Sequence, residues 1–469
     1  MSGPDAGPDS LRLPVPRALF RLALPILASQ VLRLAFQWVD ALWVRGLGVD
    51  ATAAITTSVF VMWAVLSLYD VFGFGIGAYV SQLVGAGERR RAGLAAWKGL
   101  RASAAMGLAG VVAGLFFARP IYSLVTTDPG VVEAGASYLR IVLLGTPLIM
   151  MSLSCESVLR ACGDTRTPFL VDLFAVTLNA LLAPVLIYGL GPFPRMGVAG
   201  AATATVAAQA VMLGCYATFA LRRHPSLPLA RSAEGPPLRV LGMAKVGLPA
   251  ASIGLLFSLV YIAFTRAASQ WGPAAVAVVG IVNRVEAIQF VVSAAIGFAA
   301  ATMVGQSLGA GASARAEETI RTGQRWALLF SLALTALYLI WPRLFLAMFT
   351  RDPQVLALGT PYMRVIALTL VATGLEIVTA EAVMGSGHTL AVSWIYTIVS
   401  LARIPLAMLV PRWTGGGLQS IAWLITLTCV VRTGAILMWA ARGTWKRGLA
   451  TELHGHAATA TAEDPGAAV

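Results

Sequence analysis

The chain has 469 residues, of which 58% are hydrophobic and only 12% are charged. Soluble globular domains are usually about 25% charged, so this composition excludes an ordinary soluble protein. The net charge of +13 leaves two explanations: a surface that binds nucleic acid, or the basic cytoplasmic loops of a membrane protein.

The distribution of the positive charge favours the membrane protein. About 21 of the 34 Lys and Arg residues lie on one set of alternating loops and on the termini, whereas the opposite loops hold about six. Cytoplasmic loops carry such an excess. We therefore expect no nucleic-acid partner and a multi-pass protein of a bacterial or archaeal-type cytoplasmic (inner) membrane. Both termini should be cytoplasmic, which requires an even number of spans.

Twelve apolar runs predict transmembrane helices, because about 20 apolar residues are needed to cross roughly 30 Å of hydrocarbon. The polar segment 1–16 predicts a cytoplasmic tail and not a signal peptide. The tail is followed by four segments: an N-lobe at 17–221, a Pro- and Arg-rich linker at 222–245, a C-lobe at 246–441 and a second cytoplasmic tail at 442–469. The runs lie at about 17–44, 53–80, 94–118, 131–157, 167–189, 197–221, 246–270, 274–304, 323–346, 358–384, 389–411 and 417–441.

The two lobes repeat each other in one ungapped register, which pairs position 25 with position 249. Six helices in each repeat give both lobes the same orientation, so they are parallel repeats that can rock around a cavity. The predicted fold is thus an all-α integral membrane protein with twelve transmembrane helices in two parallel six-helix bundles. The matched segments include Leu24-Pro25 with Leu248-Pro249, Gln82 with Gln306, and the helix-ending turns Gly85-Ala86-Gly87 with Gly309-Ala310-Gly311.

Ionisable side chains inside the apolar runs are the functional candidates, because a charge in hydrocarbon is costly. The N-lobe contains Asp40, Asp70, Asp172 and, as a polar neighbour, Asn179. Asp172 and Asn179 are seven residues apart, nearly two helical turns, so they share a face. We expect an outer layer of Asp40 with Asn179 and an inner layer of Asp70 with Asp172, which together hold the coupling ion or proton. The alternative for each acid is a buried ion pair with an arginine.

The C-lobe does not repeat these acids. No acid occupies the positions that match Asp40 and Asp70, and its own buried acids include Glu286 and Glu376. We expect Glu286 to pair with an arginine other than Arg284, because residues two apart on a helix face different sides. The lobes should therefore have different roles, with coupling placed mainly in the N-lobe.

Several motifs occur in a specific order along the chain: LALPILASQ at 22–30, QWVDALWVRGLG at 37–48, YVSQLVGAGERRRA at 79–92, LRACGDTRTP at 159–168, NRVEAIQF at 283–290 and TMVGQSLGAGASARA at 302–316. In their order and spacing, these motifs resemble the multidrug and toxic compound extrusion (MATE) family over about 17–441.

The resemblance implies export of organic cations or other amphipathic compounds in exchange for protons or sodium. It is closer to the branch that resembles DNA-damage-inducible protein F than to the NorM-like branch. Asp40 matches that branch's first-span aspartate, and Asn179 matches its fifth-span asparagine. Its sixth-span threonine corresponds to Thr205 or Thr203. The second-rank candidates for substrate binding or coupling are Thr205, Thr203, Glu286, Glu376 and Gln37.

Two departures from the family favour protons over sodium. Many relatives have an aspartate before the proline that follows the fifth-span asparagine, but this chain has Ala183 before Pro184. The seventh-span glutamate of the NorM-like branch is also absent from 246–270. A sodium site needs several oxygen ligands, whereas a single carboxylate is sufficient for protonation. Whether Asp70 or Asp172 replaces the missing acid stays open.

The expected function is that of an antiporter in which Asp40 takes up a proton on the outside and the lobes then rock inwards. The alternatives are a flippase for a lipid or lipid-linked precursor and a major facilitator superfamily transporter. The segment GAGERRRAG of this chain loosely resembles a loop motif of that superfamily. An enzyme is not expected, because no HExxH, histidine cluster or Ser/His/Asp arrangement is present. We expect a monomer that contacts a small-molecule substrate and membrane lipid, with H⁺ or Na⁺ as the coupling ion and neither a cofactor nor a metal site.

Overall fold

The computed structural model of the chain describes residues 8–45, 67, 69–125, 129–222, 229–449 and 453. Helices joined by short turns account for almost all of this backbone. They are α1 (Asp9–Arg12), α2 (Val15–Arg45), α3 (69–85), α4 (Arg89–Val125), α5 (Pro129–Leu144), α6 (Thr146–Ala161), α7 (Arg166–Tyr188), α8 (Val198–Leu221), α9 (Val240–Ala268), the 3₁₀ turn η1 (Ser269–Trp271), α10 (Pro273–Gly309), α11 (Ser313–Ile340), α12 (Pro342–Ala347), α13 (Pro353–Ala367), α14 (Thr369–Gly385), α15 (Thr389–Thr414), α16 (Leu418–Ala441) and the 3₁₀ turn η2 (Thr444–Arg447).

The length and hydropathy of these helices are those of an integral membrane protein. Within the described residues, nine helices can cross a membrane, and two bent helix pairs raise the number to eleven. They match eleven of the predicted apolar runs. The remaining run, 53–80, lies partly outside the described residues and ends within α3. The all-α membrane fold is therefore confirmed.

Two predicted spans are bent helix pairs instead of single helices. The axes of α5 and α6 differ by 53°, and those of α13 and α14 by 47°. The first bend lies at Gly145, where a Cβ atom would come within 2.5 Å of the Val206 side chain. Pro147 follows in the first turn of α6 and cannot donate the backbone hydrogen bond that would continue α5. Hydropathy does not register such a break, because both halves are apolar.

The described residues divide into two compact units. Unit 1 contains Leu24–Leu248 together with Leu449 and Leu453, and unit 2 contains Asp9–Ala23 and Pro249–Gly448. The chain thus passes from one unit to the other inside α2 and inside α9, within one residue of the matched Leu-Pro positions.

Close backbone contact explains why the first turns of α9 belong to unit 1. A Cβ atom at Gly75 of α3 would lie 2.3 Å from the carbonyl oxygen of Met243. A Cβ atom at Gly247 would lie 1.9 Å from the carbonyl oxygen of Val71. Only glycine permits this approach of two helices, as is common at interfaces between membrane helices.

In unit 1, a glutamine and an arginine hold the segment that follows η2. The backbone N–H of Leu449 donates to Gln82 Oε1 over 2.8 Å, and Arg91 Nη2 donates to the carbonyl oxygen of Leu453 over 2.6 Å. Both leucine side chains are buried in the apolar core of the unit. Arg91 also pairs with Glu88. The Gly85-Ala86-Gly87 turn lies between Gln82 and Arg91 along the chain, and Gly87 has a φ of 80°.

In unit 2, the matched residues hold the segment that precedes α2. Ser10 donates its hydroxyl hydrogen to Gln306 Oε1. Arg315 Nε donates to the carbonyl oxygen of Ser10 over 3.1 Å, and Arg315 Nη2 donates to that of Leu13. In the register of the repeat, Gln306 matches Gln82 and Arg315 matches Arg91. The repeat therefore conserves a Gln–Arg pair that binds a terminal segment in each unit.

We predict that Arg315→Ala releases the segment at residues 10–19. Hydrogen bonds from a charged donor contribute about 1.5–3 kcal/mol, so amide exchange in this segment should accelerate by roughly ten- to a hundredfold. Hydrogen-exchange mass spectrometry measures this directly. The matched control is Arg321→Ala, which removes an exposed pair with Glu317 on the same helix and should leave the segment protected. Equal acceleration in both variants would contradict the prediction.

Candidate coupling site

One arginine joins three helices in the interior of unit 1. Arg33 Nη2 on α2 donates to Glu156 Oε2 on α6 over 2.7 Å, and to Asp172 Oδ2 on α7 over 2.8 Å. Arg160 Nη1 completes the group at 3.2 Å from Glu156 Oε1. Two positive and two negative charges therefore neutralise each other inside the apolar bundle.

The burial of this network shows why the pairing is needed. The side chains of Glu156 and Asp172 are each 3% exposed, whereas that of Arg33 is 33% exposed. A buried charge without a partner costs several kcal/mol, so Asp172 depends on Arg33, and Glu156 depends on Arg33 and Arg160. For Asp172 the structure thus corresponds to the ion-pair alternative: its partner is Arg33, which it shares with Glu156, and not Asp70.

Asp70 lies near this network without joining it. It forms no ion pair with any residue that the structure describes, and Arg160 acts on it electrostatically over a longer distance. The neighbouring Tyr69 shares a hydrogen bond of 2.8 Å with Ser157 and donates another to the carbonyl oxygen of Leu153. The start of α3 is thereby held against α6.

A second polar contact in unit 1 joins α7 to α8. Asn179 Nδ2 donates to Thr205 Oγ1 over 3.3 Å, and the amide side chain is almost fully buried. Asn179 Oδ1 accepts no hydrogen bond from the described residues. Thr203 instead donates to the carbonyl oxygen of Ala199 on its own helix. Of the two threonines, only Thr205 contacts Asn179.

The remaining N-lobe candidates are carried by the first span. Gln37 and Asp40 lie on α2, and their side chains are outside the described residues. Ala183, where the family resemblance led us to look for an aspartate, is buried in an apolar cluster with Leu186, Ile187 and Ala202.

The acids of unit 2 have different surroundings. Glu376 Oε1 on α14 pairs with Arg432 Nη2 on α16 at 2.9 Å, and Thr433 donates to the other carboxylate oxygen. The Arg432 guanidinium lies 4.4 Å above the ring of Tyr396. Glu286 has no ion-pair partner within the described residues, and Arg403 is the cation that acts on it from a greater distance.

Arg403 is a buried cation whose contacts are neutral. Its Nε donates to Thr428 Oγ1 over 2.7 Å, and its Nη2 lies 3.0 Å from Cys429 Sγ. The residue is 7% exposed. No carboxylate among the described residues forms an ion pair with it.

The repeat conserves the positions of polar contacts but not their chemistry. The Asn179–Thr205 contact of unit 1 corresponds to the Arg403–Cys429 contact of unit 2. The Ser152–Gln209 contact corresponds to Glu376–Thr433 in the same register. An amide in one unit is thus replaced by a guanidinium in the other.

Glu156 was not among the candidates predicted from the sequence. It is the next-to-last residue of the predicted run 131–157, where an acid is easily taken for a loop residue. Its spacing of four residues from Arg160 is the usual helical spacing of an ion pair and was the available signal.

The MatE family model matches this chain twice, at residues 25–185 and 249–409. The chain belongs to the MatE family. The two matches reproduce the register that pairs position 25 with position 249, and together they cover more than half of the chain. This MatE protein is therefore a multi-pass membrane protein of a transporter family, and the match favours neither the flippase nor the major facilitator alternative.

Several named proteins are similar over most of their length. The FAD transporter of Shewanella oneidensis is 26% identical over 400 residues, which cover 85% of this chain and 88% of that protein. A probable multidrug resistance protein NorM of Thermotoga maritima is 26% identical over 436 residues, covering 92% and 93%.

Solved structures establish the likeness of fold. A MOP superfamily transporter from Pyrococcus furiosus superposes with a TM-score of 0.87 at 22% identity, covering 94% of this chain and 98% of that chain. An outward-facing multidrug resistance MATE family transporter superposes with a TM-score of 0.87 over the same shares.

We predict that Arg33→Ala destabilises the protein strongly, because it leaves Asp172 without its cation and Glu156 with only Arg160. Removing one partner of a buried pair costs about 3 kcal/mol, which thermal or denaturant unfolding in detergent would measure. Arg140→Ala is the matched control, since Arg140 is an exposed span arginine without an ion pair in the described structure. Its cost should stay below about 0.5 kcal/mol. Similar losses in the two variants would contradict a bridging role for Arg33.

Proposed function

We propose that this chain is a cation-coupled antiporter that exports organic cations or other amphipathic small molecules by rocking of two lobes, with the proton as the coupling ion. Asp40 carries the proton, and Asn179 and Thr205 form its partner site. The acid pattern of the first lobe supports the branch that resembles DNA-damage-inducible protein F. The basic loops support an inner membrane with both termini in the cytoplasm.

Helix geometry supports the pairing of positions 40 and 179. The first and fifth spans run in the same direction in the predicted topology, and Arg33 contacts Asp172 between them. Seven residues further along each helix, about 10 Å nearer the outside, lie Asp40 and Asn179. Nearly two full turns return each helix to the same face, so the Arg33–Asp172 ion pair supports a pairing of positions 40 and 179.

The single observation that carries the proposal is that the buried Asn179 Oδ1 accepts no hydrogen bond from any group that the structure describes. A buried acceptor without a donor costs about 1–3 kcal/mol. A protonated carboxyl group can donate to it, whereas an ionised carboxylate can only accept. Protonation of Asp40 therefore creates the donor that this site lacks, and the gain in free energy is specific to the protonated state.

The surroundings of Asn179 support a proton over sodium. A sodium ion needs several oxygen ligands, and Ala183 supplies a methyl group buried in apolar contacts where many relatives have a carboxylate. Asp172 already accepts two hydrogen bonds from Arg33. It is therefore occupied by an internal cation. Asp70 is the remaining acid that could contribute to ion binding.

We predict that Asp40→Asn abolishes substrate accumulation driven by a pH gradient in proteoliposomes. Exchange of labelled for unlabelled substrate without a gradient should continue, because the lobes can still rock. Asp352→Asn is the control, since Asp352 is an acid at the exposed start of α13, where it accepts from the Gln354 N–H. Accumulation at the wild-type level by Asp40→Asn would refute proton coupling through Asp40. Accumulation by the wild-type protein under a sodium gradient alone would refute the proton as the coupling ion.

A second candidate is export of a compound with an anionic group, and Arg403 is the observation that favours it. This buried guanidinium donates hydrogen bonds only to neutral partners within the described structure, and the nearby Glu286 acts on it without forming an ion pair. A phosphate or carboxylate of a substrate would complete its bidentate bonding. The FAD transporter among the similar proteins carries such a substrate by name.

We predict for this candidate that Arg403→Gln selectively impairs transport of a phosphate-bearing substrate. Flavin adenine dinucleotide and an organic dye cation are the two probes, measured in the same proteoliposomes. Charged hydrogen bonds contribute about 1.5–3 kcal/mol, so binding of the anion should weaken by roughly 10- to 100-fold while that of the cation is unchanged. Arg364→Gln, at an exposed arginine of α13, is the control. Absence of flavin transport by the wild-type protein would dismiss the second candidate.

A further inference from the structure

A groove of about 800 Å³ lies between α4 and the chain that leads into α9. Lys98 and Arg101 of α4 line its charged end, and Met106, Leu238 and Val240 are among its apolar walls. All of these residues belong to unit 1. The groove therefore combines two cations with an apolar lining within one compact body.

The open side of the groove faces the lipid. Arg101, Ala105, Leu108 and Val112 are spaced by three or four residues, so they lie on one face of α4. All four are exposed, and the two larger apolar side chains are 60% and 54% exposed. An exposed apolar face on a transmembrane helix is in contact with acyl chains. Arg101 therefore lies at the end of a lipid-facing stripe, at the end of α4 that the distribution of basic residues assigns to the cytoplasm.

The charge around the groove is strongly positive. Helix α4 contains no Asp or Glu, and the described part of the linker carries Glu234 against Arg231 and Arg239. Lys98 Nζ donates to the carbonyl oxygen of Leu238 over 2.9 Å, which fixes the ammonium group at the groove wall. Arg101 has no hydrogen bond or ion pair with any described residue. Its five donors are available to a ligand from outside the chain.

We infer that this groove binds an acidic phospholipid of the cytoplasmic leaflet. The headgroup phosphate lies between Arg101 and Lys98, and an acyl chain follows Ala105 and Leu108 along α4. Basic pockets between transmembrane helices at this level bind anionic headgroups through the same chemistry. The apolar stripe is the reason to choose a lipid over a free phosphate, which would use the cations and leave the stripe uncovered.

The test is native mass spectrometry of the purified full-length protein in a neutral detergent, titrated with dioleoylphosphatidylglycerol. Dioleoylphosphatidylcholine and inorganic phosphate are the comparison ligands. We expect retention of phosphatidylglycerol, weaker retention of phosphatidylcholine and none of phosphate. Each cation near a membrane surface contributes about fivefold to binding, so Arg101→Gln should weaken phosphatidylglycerol binding about fivefold and the double change with Lys98→Gln roughly 25-fold.

Three further variants separate the site from general charge and from misfolding. Arg442→Gln removes an exposed arginine from the same side of the membrane and should leave binding unchanged. Arg101→Lys should retain most of it. Ala105→Trp fills the lipid-facing side of the groove without changing charge and should reduce binding of the lipid.

Three outcomes would overturn the inference. The first is undiminished retention of phosphatidylglycerol by the double variant. The second is an equal loss in Arg442→Gln, which would indicate general attraction by surface charge. The third is binding of inorganic phosphate with the same dependence on Arg101, which would indicate an anion site without a lipid. A folded monomer peak in size-exclusion chromatography is required for each variant before its binding is compared.

Discussion

A charge placed among apolar helices must be neutralised by a neighbour in the same bundle, and Arg33 meets this requirement for two acids at once. Its guanidinium lies within 3 Å of carboxylate oxygens from α6 and α7, while it is itself carried by α2. Hydrophobic burial contributes little to the association of helices in lipid, because acyl chains are as apolar as the side chains. A polar contact that joins three helices therefore fixes their relative positions to a degree that leucine contacts cannot.

The need to neutralise buried charges also distinguishes the polar residues of unit 1 from one another. Asp172 and Glu156 are held by arginines and serve the structure of the bundle. Asn179 lies two turns further along α7, and its amide oxygen accepts no hydrogen bond from the residues that the structure describes. In unit 2, a guanidinium occupies the position of that amide, so the two units present groups of different charge at matched places.

The ends of the helices are organised by the same repeat. Each Gln–Arg pair holds a terminal segment against its own unit, and in both units the arginine donates to backbone oxygens, which every residue of the segment provides whatever its side chain. This explains how one motif can bind two segments of unrelated sequence. The basic groove along α4 lies near Arg91. The terminal segment that Arg91 holds and the lipid that we propose for the groove would therefore bind to neighbouring parts of unit 1.

The sequence by itself determined the membrane class, eleven of the spans that the structure describes, and the two-fold repeat, because apolar run length and a fixed register are one-dimensional signals. It also identified Asp172 and Asn179 as buried polar residues on one helix face. Only the tertiary structure decided that Asp172 pairs with Arg33, that Glu156 belongs to the same network, and that Thr205 and not Thr203 contacts Asn179. Ion pairs between helices depend on rotation about each helix axis, which is set by packing against several neighbours and leaves no mark on hydropathy. The bends at Gly145 and Leu368 were hidden for a related reason, since an apolar run has the same composition whether its helix is straight or broken.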